Sequence, residues 1–462
     1  MVKKRMQNFN LKIFEKSSNT IGKTAVCMAK EGDKTVLIIM GQDKCGFKAD
    51  DSGDGKFRAE LTHENAVVLR KHFPWTAPVR GLQKFTSFGF GDRLGIAAPG
   101  HIELVRNKDI FPVFAQQSMR ELNLTKRVYD DVLDAASFAV FREGYKKGYG
   151  ADGDHLKTAE DIKAALSLGF TMITLDCSDH IKKSSGLNTE IPQKYTDKYL
   201  NVEFDIEGIP LVFTKEELAA CIEIYSEAIS FAAGIYREFF APGKYNADLE
   251  ISIDETESST TPLQHYFVAR ELLDSDVIFN TIAPRFCGEF QKGIDYIGDI
   301  VQFEKEINVH AAIARSLGYK LSIHSGSDKF SVFPIIKKAC RGNFHLKTAG
   351  TNWLEAMRVV SLKNPDLYRE IQKYALTVFN EAKKYYHVTA DISKIPDAQE
   401  IKDEDLPGLF DSNNDLRQLI HITYGFILDV YKDRLYDLWH KNEDDCRSAI
   451  IKHIGRHLEL LT

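Results

Sequence analysis

Lys320-Leu-Ser-Ile-His324 and Asn343-Phe-His345-Leu-Lys347 decide how this chain is read. Both alternate apolar and polar residues, the pattern of a short β-strand with two unlike faces. Leu321, Ile323, Phe344 and Leu346 take the apolar faces; Ser322 and His324, like His345 and Lys347, share the polar ones. Each run ends in small residues, Ser325-Gly326-Ser327 and Thr348-Ala349-Gly350, before a helical pattern begins. Two imidazoles, a lysine and hydroxyls therefore sit at the C-terminal ends of neighbouring strands. In a parallel barrel that is the end where loops are free of packing duty and chemistry is done. The plain alternative is that both histidines are packed or hydrogen-bonded core residues.

Six further strand-like segments surround this pair: Ser87–Ile96, Phe111–Gln117, Gly148–His155, Phe170–Asp176, Asn246–Asp254 and Val277–Pro284. Helical patterns separate them, among them Thr125–Lys146, Thr158–Leu168, Thr214–Phe240, Pro262–Leu273, Ile300–Leu317 and Phe330–Lys338. Eight strands alternating with helices predict an α/β fold, a (β/α)₈ barrel of the TIM type, with a doubly wound open sheet as the competitor. The barrel is placed at residues 85–352. Residues 1–84 read as a small N-terminal α/β region, with strands Thr24–Ala29 and Lys34–Met40, a helix Thr62–His72 and a linker Phe73–Pro78. Its acidic loop Asp50–Lys56 lacks the ligand alternation and closing glutamate of a calcium loop and reads as a surface turn. The polar stretch Ile181–Pro210 reads as a loop insertion after the fourth strand, and residues 353–462 as a C-terminal helical extension.

At 462 residues, 44% apolar and 27% charged, the composition is that of a globular protein. A net charge of -6 speaks against nucleic acid or an anionic membrane as the main partner. Contiguous apolar runs such as Thr35–Met40 are too short to span a bilayer. The basic start Met1-Val-Lys-Lys-Arg5 is not followed by an apolar core, so no signal peptide is read. Seven scattered cysteines without a C-x-x-C pair fit reduced thiols in the cytoplasm. A homo-oligomer is left open.

Ionisable groups gather at the predicted strand ends: Asp92 and Arg93; Gln116 and Gln117; Asp152, Asp154 and His155; Asp176, Asp179 and His180; Glu250, Ser252 and Asp254; Arg285; His324; His345 and Lys347. Glu250, Ser252 and Asp254 alternate with Leu249, Ile251 and Ile253, which aims the acids inward, where a carboxylate is costly unless paired or metal-bound. A carboxylate with two or three imidazoles is a ligand set for Zn²⁺, Mn²⁺, Fe²⁺, Co²⁺ or Ni²⁺. The competing reading is an interior salt-bridge network with Arg285, Lys347 and Lys157. Arg285, behind Pro284, suits a carboxylate or phosphate through its planar fork. Phe88–Gly95 lacks G-x-G-x-x-G spacing, and neither a Walker sequence nor a G-x-S-x-G elbow is present.

Six ordered motifs carry a resemblance: Gly89–Gly95; Ala151–Thr158; Gly169–Met172 with Asp176 and Ser178-Asp-His180; Ala283–Gly293; His324–Phe330; and Phe344–Thr351. Together they resemble the tagaturonate/fructuronate epimerase family from about Phe85 to Trp353. The resemblance implies a metal-dependent barrel isomerase that interconverts two keto-sugar acids in hexuronate breakdown. Relatives act on fructose and tagatose. The two acids differ at a carbinol carbon β to the ketone, whose hydrogen is not acidified, so retro-aldol cleavage and re-addition is the expected route. His155, Glu250, His324 and His345 are the expected ligand pool. Asp176 or Asp254 is the expected base, with Asp92 as a second acid/base or hydroxyl anchor. Arg285 and Lys292 would hold the substrate carboxylate, with Lys347, Gln117 and Ser325 assisting. The rivals are a neutral ketose 4-epimerase, another barrel aldolase or isomerase, and a sugar-binding protein on an inactive barrel.

Overall fold

Eight short strands close into a barrel in chain order: β1 (Ser87–Phe90), β2 (Phe111–Ser118), β3 (Gly150–Leu156), β4 (Met172–Asp176), β5 (Asp248–Ile253), β6 (Thr281–Pro284), β7 (Lys320–Ile323) and β8 (Phe344–Thr348). From β3 to β8 each strand pairs in parallel with the next. The expected (β/α)₈ barrel is the observed fold, with all eight strands in or beside the segments read from sequence. The computed structural model describes residues 11–84, 86–183, 190–348 and 350–462. The basic start at residues 1–5 and part of the insertion, 184–189, lie outside the described residues.

The alternation that marked the strands sorts their side chains. Leu249, Ile251 and Ile253 of β5, and Phe344 and Leu346 of β8, are all buried. Opposite them Glu250, Ser252, His345 and Lys347 are buried too. This barrel therefore has a polar interior, which requires every inward group to find a partner.

β1 is shorter than the expected Ser87–Ile96. The Asp92 carboxylate accepts backbone N–H groups from Leu94 (3.1 Å), Gly95 (2.9 Å) and Ala97 (2.7 Å) and bends the chain into the helix Ala98–Val105. The insertion is not a plain loop. It contains a helix, Gln193–Tyr199, and a hairpin, Glu203–Ile206 with Ile209–Val212. Glu207 and Gly208 both have positive φ (53° and 84°), as a type I′ turn requires. Tyr199 and Phe204 supply the missing core by packing on Phe213. The helix Lys215–Phe240 is long and apolar enough in composition to cross a membrane, which a search for contiguous apolar runs passes over. Half of its most apolar window is buried in the fold.

Two compact units share the chain. One comprises Met1–Val79, Phe90–Tyr149 and Ala349–Gly455. In it, Val26, Met28, Leu37, Ile39 and Phe57 of an antiparallel sheet pack with Ala66 and Leu69 of the helix His63–His72 and with Phe138 and Phe141. A second core in this unit joins Trp353, Tyr368, Leu419, Tyr424 and Trp439 of the C-terminal helices. The other unit comprises Arg80–Gly89, Gly150–Thr348 and Arg456–Thr462. Both units are discontinuous in the chain.

Candidate active site at the strand ends

Simple alternation would turn His155 away from Asp152 and Asp154. The pairing of β3 with β4 slips: Gly153 faces Ile173, whereas Leu156 faces Leu175. The extra residue is a β-bulge, and His155 takes φ 55°, a conformation that costs a non-glycine residue of the order of 1–3 kcal/mol and collects at functional sites. The bulge swings the imidazole to the acidic side. His155 Nδ1 lies 3.4 Å from Asp176 Oδ2, and Nε2 lies 4.0 Å from Asp154 Oδ1.

His324, one residue past β7, meets it edge-on with ring centroids 4.8 Å apart. Its Nε2 is 2.7 Å from Glu250 Oε1, and its Nδ1 is 3.1 Å from Asp254 Oδ2. Both contacts are satisfied when each nitrogen carries a proton. Burial opposes that charge, but Asp254 and Glu250 outweigh it and raise the His324 pKa. His155 is driven up to about 10: burial lowers it, and Asp154, Asp176 and Asp254 more than offset burial. Burial works against the Asp254 carboxylate, yet His324, His155 and the Ser252 hydroxyl (2.5 Å) hold it well below the usual range.

Beneath these rings lies a second polar group. Lys347 Nζ is 2.8 Å from Asp152, 2.7 Å from Asp154 and 2.8 Å from Glu250, and it also donates to Thr174. Glu250 accepts further bonds from Thr174 (3.2 Å) and Thr281 (2.6 Å). Despite burial, the three carboxylates raise the Lys347 pKa well above its ordinary value. Asp152, desolvated and crowded by Asp154 and Glu250, rises to about 7. A fixed ammonium so enclosed is a counter-ion of the barrel interior, not the substrate-facing group expected from sequence.

The expected site residues thus separate. His155, Asp176, Asp254, His324 and Glu250 come together. His345 is within electrostatic reach of Glu250 and His324, but its Nδ1 contacts Ser87 Oγ at 2.9 Å, and burial pushes it down to about 3. Asp92 is committed to its turn, and Gln117 Nε2 to Glu121 (3.2 Å). Arg285 donates to the Thr256 carbonyl and lies 3.9 Å from Glu289; none of its described contacts reaches the histidines. Lys292 Nζ donates to Ser325 Oγ (2.9 Å), the residue after His324, and Ser325 itself has φ 49°. Thr174 and Thr281 were missed as partners of the acids, although their inward positions on the alternating strands mark them. Glu255, one residue beyond Asp254, was also missed.

Two overlapping sets of side chains have ligand atoms within 4.8 Å of one another: His155, Asp254 and His324; and His155, Asp176 and Glu255. His155 Nδ1 and Asp176 Oδ2 are buried and not hydrogen-bonded to any described residue. Imidazole nitrogens, once they give up their protons, and carboxylate oxygens gathered at one point fit a divalent transition metal. Glu250 and His345, both expected ligands, are outside these sets; Glu250 is spent on Lys347, two threonines and His324.

Comparison with known proteins agrees with this fold. The model of a family described as UxaE, tagaturonate epimerase, matches residues 14–461. The chain is 43% identical over 468 residues to the tagaturonate/fructuronate epimerase of Thermotoga maritima, covering 97% of this chain and 96% of that protein. It also superposes on crystal structures of the fructuronate-tagaturonate epimerase UxaE from Cohnella laeviribosi, native and glycerol-complexed. TM-scores are 0.95 at 45% identity, over 100% of this chain and 98% of those. With both near-full-length matches and the strand-end cluster in place, the chain belongs to the tagaturonate epimerase family.

Proposed function

We propose that this enzyme, a carbohydrate epimerase, interconverts D-tagaturonate and D-fructuronate by opening and reclosing one carbon–carbon bond, as a step of hexuronate breakdown in the cytoplasm. The observation that carries the reading is the meeting of His155, Asp254 and His324 at the strand ends of a chain 43% identical to a tagaturonate/fructuronate epimerase. His155, His324 and Asp254 would hold a divalent cation, which as a Lewis acid would polarise the substrate ketone.

Asp176 is the group left to move the proton. Its Oδ1 accepts from Ser178 N (2.9 Å), while Oδ2 faces the site beside His155. It takes the proton from the carbinol hydroxyl; the bond to the carbon α to the ketone breaks, leaving an aldehyde and an enediolate. The aldehyde turns over and is attacked on its other face, and Asp176 returns the proton to the new alkoxide. Lys292, held beside His324 by Ser325, binds the carboxylate as a charge-assisted donor. The Lys347 group keeps Asp154 and Glu250 ionised, Asp154 down to about 2, so that His155 and His324 stay oriented.

The test is product analysis by NMR with tagaturonate, fructuronate, tagatose and fructose, before and after chelation. Loss of uronate epimerisation on chelation and its return with Mn²⁺, Co²⁺, Ni²⁺ or Zn²⁺ is expected. Full turnover after rigorous stripping refutes the Lewis-acid assignment, and turnover of neutral ketoses alone refutes the substrate.

A further inference from the structure

Two loops meet over Lys292. One follows β6 and runs from Arg285 to Asp299; the other follows β7 and runs from His324 to Val332. Lys329, in the second, is completely buried. Its Nζ donates to three backbone carbonyls: Gln291 (2.8 Å), Ile294 (2.6 Å) and Ser327 (2.8 Å). Gln291 immediately precedes Lys292, and Ile294 lies two residues beyond it. One ammonium therefore grips the backbone on both sides of Lys292 and ties it to the loop that carries Ser325.

A second tie runs parallel to the first. The Asp295 carboxylate accepts from Ser331 N (3.1 Å) and Ser331 Oγ (2.9 Å). The β7 loop is itself anchored: Gly326 N donates to the Lys347 carbonyl (2.8 Å), and a Cβ on Gly326 would stand 2.7 Å from the Leu346 side chain. Ser325 and Asp328 hold positive φ (49° and 62°), a backbone kept in place only by such constraints. Loops usually carry binding residues because they vary freely. Here the free choice has been removed at one lysine, next to His324.

We infer that Lys329 is a positioning residue that sets the preference for a ketose bearing a carboxylate over a neutral one, by fixing the backbone on either side of Lys292. This rests on the reading of Lys292 as the carboxylate binder. Lys329 Nζ is engaged by three backbone carbonyls and so acts through Lys292. Its carbonyl contacts place Lys292 Nζ against Ser325, so that the ammonium is pre-oriented and little entropy is lost when the carboxylate arrives. A neutral ketose, lacking the carboxylate, gains nothing from that order.

The test is the ratio of kcat/KM for tagaturonate to that for tagatose, measured on the metal-loaded enzyme for Lys329→Met, Lys292→Met and the double variant. Lys292→Met is expected to lower the ratio roughly tenfold to a hundredfold, the scale of one lost charged hydrogen bond. Lys329→Met is expected to lower it about tenfold, chiefly through the KM for tagaturonate, and to lower it no further in the Lys292→Met background. If Lys329→Met does not fold, Asp295→Ala cuts the parallel tie and is read the same way. Equal losses on both sugars, or a full further loss in the double variant, overturn the inference while leaving Lys292 as the binder. An unchanged ratio in Lys292→Met overturns the carboxylate reading and the inference with it.

Discussion

Replacing Lys347 with methionine removes the ammonium that lies within 3 Å of all three carboxylates, Asp152, Asp154 and Glu250. Methionine keeps most of the volume, so the loss is electrostatic. Removing one partner of a buried ion pair costs about 3–5 kcal/mol, because the other partner stays buried and uncompensated. With an unfolding entropy of roughly 2.1 cal/mol/K per residue, a chain of 462 residues has about 1 kcal/mol/K in all, so the melting temperature should fall by about 3–5 °C at pH 8. The sign with pH follows from linkage. In the wild type, Asp154 and Glu250 are held below their ordinary values, so their contribution is present at neutral pH and is lost as pH falls through the folded values. In the variant, burial without the ammonium pushes the same carboxyls above their unfolded values, and the folded state gains protons as pH falls. The gap between the two proteins should therefore narrow from pH 8 to pH 5. Scanning calorimetry of both, chelated alike, measures it. Equal melting at pH 8, or a gap that widens toward pH 5, refutes the assignment of Lys347 as the interior counter-ion.

His324→Ala should lose bound metal and turnover while circular dichroism stays that of the wild type; unchanged metal content and kinetics would remove His324 from the site. Metal uptake at pH 7 should release protons, because His155 is driven up to about 10, His324 is raised too, and a metal needs both neutral; calorimetric titration in two buffers of different ionisation enthalpy reads the number, and no release contradicts it. Gly350→Ala should lower stability by about 1–3 kcal/mol, since the added methyl would run into the His421 ring; an unchanged melting temperature would show that the ring moves aside freely.

The barrel was legible because β-strands leave a period of two in the sequence, and helices between them leave their own. Val277–Pro284, for example, could be read as a strand from its apolar run before Arg285, and its core Thr281–Pro284 is β6. The hairpin at Glu203–Val212 escaped because Glu-Gly is a weaker turn signal than Asn-Gly and because Pro210 argues against a strand. The inward acids of β5 were legible for the same periodic reason as the barrel. The orientation of His155 was not: a bulge adds one residue to a strand without changing composition, and its φ of 55° has no sequence marker for histidine. Asp92 looked like a strand-end acid, but three backbone amides claim it, and such local claims are invisible to a list of residue types.

Sequence also left two accounts of the interior acids side by side, metal site or salt-bridge network, and the structure divides them by position. Around Lys347 the network account suffices: one ammonium, three carboxylates and two threonine hydroxyls satisfy one another. Above it the same account leans on the two imidazoles. Asp176 and Asp254 add two more carboxylates, and Lys157, 3.8 Å from Asp176, is also paired with Asp179 at 2.6 Å. The acids around them raise both His155 and His324 despite burial, so the imidazoles favour their protonated forms. A purely structural interior gains little from a bulged, strained histidine paired with buried acids, because burying such charges costs more than packing apolar residues there. The excess of acid, the two imidazoles able to give up their protons and the Asp176 oxygen beside His155 all fall on the same few ångströms of the strand ends. That coincidence, more than any one residue, supports a doubly charged cation there as a working part of the enzyme.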